Sequence, residues 1–87
     1  MATVRKLLER ILSGTCDANV RFSDLCRVLH ALQFQVRVRA SHRIFTRTGI
    51  MEILNLQPKG TDAKPYQVKQ VRAVILKYRL GAPHEPT

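Results

Sequence analysis

Residues 34–47 read FQVRVRASHRIFTR, and their pattern is the clearest indication of the fold. Its first half alternates between apolar and polar side chains, which is the period of a β-strand with one face buried and one face solvated. The apolar positions of that half are Phe34, Val36, Val38 and Ala40. Residues 42–47 are again rich in β-forming side chains and predict the returning strand. We therefore expect an antiparallel strand pair with a tight turn near residues 40–41, and Arg37 and Arg39 on the solvated face.

The segment that follows predicts a third strand. Thr48-Gly49 marks a turn, and residues 50–57 (IMEILNLQ) alternate loosely between two sets of side chains. Helix propensity offers an alternative for these residues, but the short length between Gly49 and Pro58 favours a strand. An exposed loop is expected over residues 58–64.

The last regular element is predicted to be a helix. Pro65 suits the first helical position, where its missing N–H is tolerated. An apolar stripe continues to about Leu80, and its members are Val68, Val71, Ile75 and Tyr78. Gly81 and Pro83 end the helix, which leaves residues 81–87 as a polar tail that includes His84.

Two helices are predicted before the strands. Residues 3–13 carry apolar side chains at helical spacing, namely Val4, Leu7, Leu8, Ile11 and Leu12, and Ser13-Gly14 ends that pattern. Residues 15–21 form a loop. The second helix is expected to begin with Ser23 as its N-cap, and its apolar stripe is Phe22, Leu25, Cys26, Leu29 and Leu32.

These elements predict an α+β domain in the order α-α-β-β-β-α, with a three-stranded antiparallel sheet packed on helices. The chain has 87 residues, which is the size of one small domain, so residues 1–87 are assigned to a single unit. A dinucleotide-binding fold with a substrate domain, a kinase or a TIM barrel would not fit in this length.

The charge balance favours a polyanionic partner. Fifteen Lys and Arg against six Asp and Glu give a formal charge of +9, so nucleic acid, an anionic membrane surface or an acidic protein is expected to bind. No apolar run approaches the length of a membrane span, and charges interrupt the apolar N-terminal stretch as they would not in a signal peptide. Cys16 and Cys26 form no CxxC pair, which predicts reduced thiols in the cytoplasm and no structural zinc site.

The positive charge is concentrated on the predicted strand pair. Between Leu25 and Met51 there are five arginines and no acid. Four of them, Arg37, Arg39, Arg43 and Arg47, are candidate phosphate contacts, because the planar guanidinium matches phosphate oxygens. Second-rank candidates on the following loop and helix are Lys59, Lys64, Lys69 and Arg72. An ordinary solvated polar face is the alternative interpretation of these charges.

A histidine lies within this arginine cluster. A neutral imidazole at His42 could take a proton from a ribose 2′-hydroxyl or return one to a leaving oxygen, while arginines stabilise the charge on phosphorus. RNA carries its own nucleophile, so such a cleavage requires no metal and no cofactor. The alternative is that His42 only hydrogen-bonds phosphate or backbone. His30, inside the second helix, is interpreted as structural.

Four segments resemble the HicA family of toxins from bacterial type II toxin–antitoxin pairs. They are VRFSDLCRVLHALQF, RVRASHRIFT, IMEILNLQPKG and AKPYQVKQVRAVIL, which together cover about residues 20–80. The resemblance implies a fold like a double-stranded-RNA-binding domain. It also implies a metal-independent ribonuclease that cleaves mRNA and blocks translation, and that a HicB-like antitoxin holds inactive.

The family motif is Gly-Ser-His, often with a second histidine, and it maps onto Ala40, Ser41 and His42. The resemblance therefore implies that His42 is the catalytic residue and places Ser41 among the candidate RNA contacts. Two positions depart from the motif, because Ala40 replaces the glycine and Arg43 replaces the second histidine. The helix over residues 3–13 lies outside the shortest family members and is interpreted as an added packing element or as a dimer or antitoxin contact.

Two other functions stay open at this point. One is a catalytically silent RNA- or DNA-binding module of the same fold, and the other is a protein-binding domain whose basic face meets an acidic partner. An antitoxin could cover His42 and the arginines directly, or it could capture the chain through residues 3–13.

Overall fold

A computed structural model describes residues 3–81 of the chain. Three helices and a three-stranded antiparallel sheet confirm the predicted α+β class. The elements are α1 (Val4–Ser13), a short 3-10 turn (Asp17–Asn19), α2 (Phe22–Ala31), β1 (Gln35–Arg39), β2 (His42–Thr46), β3 (Leu54–Leu56), β4 (Pro58–Lys59), β5 (Asp62–Ala63) and α3 (Pro65–Tyr78). Pro83 and His84 of the predicted tail lie outside the described residues.

The N-terminal helix α1 packs into the same core as the rest of the chain. Thr3 caps it by accepting a hydrogen bond from the Lys6 N–H, and Gly14 ends it in the left-handed conformation at φ +74°. Leu7 and Ile11 are buried together with side chains of α2, α3 and the sheet. The helix thus contributes directly to core packing.

The prediction of Ser23 as the N-cap of α2 is wrong. The helix begins one residue before it, at Phe22, and Arg21 is the capping residue without a side-chain hydrogen bond. The Phe22 N–H instead donates to the carbonyl of Thr61, and Arg21 pairs with Asp62 as an isolated β-bridge. These backbone contacts satisfy the helix start and bury the Phe22 ring, so a serine cap is not needed.

A tight reversal connects α2 to the sheet. Gln33 has φ +73°, and the Phe34 N–H donates to the carbonyl of Leu29 at 3.1 Å. Such a bond across the last turn is typical of a Schellman helix end. It places Phe34 in the core directly before β1 begins.

The sheet has the order β1-β2-β3 with antiparallel neighbours. Arg39 pairs with His42, so the β1–β2 hairpin has the two-residue loop Ala40-Ser41. The sequence predicts a tight turn here, but it includes Ala40 in the alternation of the first strand. Ala40 adopts φ +53°. Two-residue hairpin loops favour positive φ at such positions because this matches the twist of the strands.

The third strand is shorter than predicted. Strand pairing covers only residues 54–56 of the predicted 50–57, although the alternation continues, with Leu54 and Leu56 buried and Ile53 exposed. The preceding residues bind the end of α3 instead of β2. The Met51 N–H donates to the Tyr78 hydroxyl, and the Glu52 carboxylate accepts from Tyr78 and Lys77.

The prediction that Val36 and Val38 are buried is wrong. Their side chains are 47% and 59% exposed, although Phe34 is buried as predicted. They share a face with buried Phe45, which pairs with Val36. Both β1 and β3 are edge strands of the sheet, but Phe45 of β2 and Leu54 and Leu56 of β3 are buried, so the helices cover the core face of β2 and β3 and leave that of β1 largely exposed.

The prediction of an exposed loop over residues 58–64 is also wrong. Strands β4 and β5 form a small antiparallel pair around Gly60, which has φ +62°. Ala63 is buried, and its N–H donates to the carbonyl of Val20 at 2.8 Å. This pair holds the start of α2 against the start of α3.

Helix α3 follows the prediction closely. Pro65 occupies its first turn, and Val68, Val71 and Ile75 of the predicted stripe are buried. The helix stops at Tyr78, where Arg79 takes the left-handed conformation at φ +55°. No helix within residues 3–81 is long and apolar enough to cross a membrane.

We expect Ala40→Gly to stabilise the protein by roughly 0.5–1 kcal/mol, because glycine adopts positive φ without the Cβ clash that alanine suffers. Chemical denaturation would measure the difference. Ala73→Gly is the matched control, since Ala73 is exposed within α3, and there glycine should destabilise by roughly 0.5–1 kcal/mol. Equal loss of stability in both variants would contradict the strain at Ala40.

We expect the stability contributed by Glu52 to depend on pH. Hydrogen bonds from Lys77 and Tyr78 lower the pKa of Glu52 from 4.5 to about 2. A folded-state pKa below the unfolded value stabilises the fold above that unfolded value, and the contribution is lost as the pH falls through the folded pKa. Glu52→Gln should therefore lower Tm near neutral pH, and the difference should close as the pH falls from 4.5 to about 2.

Thermal unfolding followed by circular dichroism at several pH values would measure this difference. Glu9→Gln is the control, because Glu9 forms only an exposed ion pair with Arg5 at 3.8 Å and should change Tm little at any pH. A Glu52→Gln difference that stays constant down to about pH 2 would show that the carboxylate charge is not responsible.

Candidate functional site

The sheet has one face turned away from the helices, and the strand register assigns the residues that lie on it. Side chains paired across strands share a face. Phe45, Leu54 and Leu56 are buried on the core face. The residues at the alternate positions form the opposite face, which we call the open face, and they are Gln35, Arg37, Arg39, His42, Ile44, Thr46 and Asn55.

The two arginines of β1 lie next to the hairpin histidine on the open face. Arg39 is directly opposite His42, and Arg37 is opposite Ile44. Directly opposed residues in an antiparallel pair have Cβ atoms about 5 Å apart. Arg39 and His42 can therefore contact the same small anion.

No acid within residues 3–81 forms a salt bridge with the strand arginines. Four acids pair elsewhere with Arg5, Arg27, Arg72 and Lys77, and these acids are Glu9, Asp24, Asp17 and Glu52, respectively. The charges of Arg37 and Arg39 therefore stay uncompensated on the open face, which favours anion binding there.

The His42 ring is oriented by a partner on β3. Its Nδ1 lies 2.9 Å from Oδ1 of Asn55. With the amide placed this way, the histidine donates its Nδ1 proton and Nε2 carries the free lone pair. In this arrangement Nε2 can accept a proton from a bound molecule.

Sequence reasoning did not identify Asn55 as a functional residue. The two residues are 13 positions apart, and only the pairing of β2 with β3 brings them together. The sequence feature that could have identified Asn55 is the alternation over residues 50–57. It places this polar residue on the same face as Met51 and Ile53.

Ser41 is held by a second contact from the end of β3. The Gln57 side chain donates to the Ser41 hydroxyl at 3.1 Å. The backbone of Gln57 is fixed by Gln67 of α3, a buried polar residue. When its amide is oriented to satisfy both groups, Gln67 accepts from the Gln57 N–H at 3.1 Å and donates to the Gln57 carbonyl at 3.0 Å. This chain of contacts connects α3 to the Ala40-Ser41 loop, directly before His42.

Arg43 does not join the open face. It pairs with Val38 and Leu56 on the core face, and its guanidinium lies over the Phe22 ring at 5.9 Å from the centroid. Arg47 follows the end of β2 and is half-buried. Of the four strand arginines, the structure thus brings only Arg37 and Arg39 together with His42.

The second-rank candidates are distributed over other elements. Lys59 is exposed on β4, Lys64 is the capping residue of α3, and Lys69 is exposed on that helix. None of them belongs to the three-stranded sheet that carries His42.

Arg72 has a structural role that the sequence did not reveal. It donates to both carboxylate oxygens of Asp17, at 2.8 and 3.2 Å, and to the Ile11 carbonyl at 3.1 Å. The Asp17 carboxylate raises the pKa of Arg72 above its ordinary value. Because both side chains are mostly buried, this guanidinium ties α3 to α1 and to the 3-10 turn.

The open face offers little for stacking of bases. Phe22, Phe34 and Phe45 are all buried in the core. A shallow groove of about 270 Å³ lies beside Arg37 and is lined also by Ile44 and Ile53. The face therefore combines cations and one imidazole with a small apolar patch, an arrangement suited to phosphate and sugar contacts.

Within residues 3–81, no three His, Cys, Asp or Glu side chains come together as a metal site. Both cysteines are half-buried free thiols.

Comparison of the chain with models of known protein families, with curated proteins and with solved structures finds no match. The functional interpretation therefore depends on the residues of this chain and on the geometry in which they meet.

Proposed function

We propose that this chain is a metal-independent ribonuclease that cleaves mRNA, with His42 as the general acid and base. The observation that carries the proposal is the contact of His42 Nδ1 with Asn55 at 2.9 Å, directly across from Arg39. It holds an imidazole in a fixed orientation beside a cation that has no salt-bridge partner among residues 3–81. The ASH sequence of Ala40, Ser41 and His42, which resembles the HicA motif, supports the same function.

In the proposed reaction, Nε2 of His42 takes the proton of a ribose 2′-hydroxyl. The 2′-oxygen attacks the adjacent phosphorus, and the bond from phosphorus to the 5′-oxygen breaks. The imidazolium returns its proton to that leaving oxygen, so the products are a 2′,3′-cyclic phosphate and a 5′-hydroxyl. Asn55 holds the ring by accepting a hydrogen bond from the Nδ1–H throughout and acts as a positioning residue.

Arg37 and Arg39 are assigned to the phosphate. Both project from a strand, where the backbone holds them more rigidly than a loop would. Their guanidinium groups bind the non-bridging oxygens and stabilise the negative charge that develops on them as the 2′-oxygen attacks. Ser41 lies beside them in the turn and supplies a further polar contact to the RNA backbone.

We further propose that the fold is like that of a double-stranded-RNA-binding domain and that the protein is the HicA-like toxin of a type II toxin–antitoxin pair. The three-stranded sheet with helices on one face and a basic opposite face supports this proposal. Such a protein acts in the cytoplasm, blocks translation, and is held inactive in a hetero-oligomer by a HicB-like antitoxin.

Cleavage of RNA in excess EDTA tests the proposed function. His42→Ala should reduce the cleavage rate by about 10²–10⁴-fold, the usual contribution of general acid–base catalysis, while the fold is retained. His30→Ala is the matched control, because His30 is exposed on α2 and should leave the rate unchanged. Undiminished cleavage by His42→Ala would exclude His42 as the catalytic residue, and RNA binding without cleavage by the wild type would favour the silent binding module.

Asn55→Ala separates positioning from general stability in the same assay. If Asn55 acts only through His42, the single change should slow cleavage, but adding it to His42→Ala should cause no further loss. A further loss in the double variant, equal to that in the wild-type background, would show an independent role for Asn55.

Arg37 and Arg39 are expected to act mainly through phosphate. Removing either arginine should weaken RNA binding across sequences and make the slope of log K against log salt shallower by about 0.7. Arg5→Ala is the control, because it removes the same charge from an exposed site on α1. An unchanged slope after Arg37→Ala combined with Arg39→Ala would show that RNA binds elsewhere.

A further inference from the structure

Strand β1 has an open outer edge. It pairs only with β2, and within residues 3–81 its backbone makes no hydrogen bond to any other segment. The backbone groups on its outer side therefore have no hydrogen-bond partner among the described residues. An unpaired edge of this kind can accept a further strand from another chain.

The two faces of β1 have different chemistry. Val36 and Val38 are 47% and 59% exposed on the core side. Arg37 and Arg39 project from the open face without a salt-bridge partner among residues 3–81. A strand added to this edge would meet an apolar row on one side and a cationic row on the other.

The apolar row continues into a groove. A cavity of about 470 Å³ opens between α2 and the sheet, and it is lined by Val36, Phe45, Phe22 and Cys26 among others. Val36 therefore belongs both to the exposed apolar row of β1, formed by Val36 and Val38, and to the lining of this cavity. Apolar side chains of an added strand would be removed from water along this surface.

Charge decides between the possible occupants of this edge. A second copy of β1 would bring its own Arg37 and Arg39 beside those of the first copy on the same face, and like charges in that position are destabilising. Nucleic acid could meet the arginines but could not pair with the strand backbone or fill the groove. An extended protein segment with acidic side chains satisfies the cationic row, the apolar row and the edge together.

We propose that the outer edge of β1 docks an extended segment of a partner protein in which apolar and acidic residues alternate. Its acidic side chains lie beside Arg37 and Arg39, and its apolar side chains lie over Val36 and Val38. The inference goes beyond the proposed function, because it uses the strand edge and not His42. Where RNA binds the open face, such a segment competes with it for the same two arginines.

A synthetic peptide of alternating Glu and Val, about seven residues long, tests this docking. Titration should give saturable binding, and amide hydrogen exchange should show new protection within residues 35–39. A peptide of the same composition with its Glu and Val residues in separate blocks is the control and should bind roughly tenfold more weakly, since it cannot match both rows. Equal binding of the two peptides, or protection confined to other residues, would overturn the proposal.

Variants of the exposed row complete the test. Val36→Lys combined with Val38→Lys should weaken binding of the alternating peptide by roughly tenfold, although the added positive charge alone would strengthen it. Met51→Lys with Leu76→Lys adds the same charge at two exposed apolar positions and should not weaken binding. Equal affinity of the alternating peptide for both double variants would overturn the proposal. Dimerisation of the wild-type chain through β1, detected by sedimentation, would overturn it as well. Because these readouts do not involve cleavage, they are independent of the fate of the proposed ribonuclease activity.

Discussion

The structure depends on the burial of only one face of the sheet. Phe45, Leu54 and Leu56 are removed from water against the helices, and their positions set the register of β2 with β3. Because side chains alternate along a strand, a slip of one residue would exchange the two faces completely. The same constraint that fills the core therefore places His42 and Asn55 together on the open face.

Polar contacts from α3 add to the apolar core in fixing the position of the chain around β3. Buried Gln67 fixes the backbone of Gln57, and the Gln57 side chain reaches the Ser41 hydroxyl. At the other end of the segment, Glu52 binds the C-terminal turn of α3. The chain around β3 is thus held on both sides of Asn55, which limits the movement of the residue that orients His42. A buried polar group is tolerated at Gln67 because both of its hydrogen-bonding groups are satisfied.

The charges near the helices and the charges on β1 differ in whether they form ion pairs. Acids on or near the helices form ion pairs, such as Asp17 with Arg72, whereas neither Arg37 nor Arg39 forms a salt bridge with an acid among residues 3–81. Strand β1 therefore has two proposed binding roles, and both depend on Arg37 and Arg39. RNA would meet these arginines from the open face, and an acidic partner strand would meet them from the edge, so occupation by the partner would remove a phosphate site.

Local periodicity in the sequence predicts the three helices, the three strands of the main sheet, the burial of Phe22 and Phe34, and the shared face of Arg37 and Arg39, because these follow from patterns within a few residues, but it misses the short pair β4–β5. The exposure of Val36 and Val38 follows only from the tertiary packing, since local alternation does not tell which strand of the sheet the helices leave uncovered. The tertiary structure also decided that Arg43 packs over Phe22, that Arg72 binds Asp17 across 55 positions, and that Asn55 meets His42 across 13. These outcomes depend on contacts distant in the chain, which are selected by the packing of the whole core and have no local period.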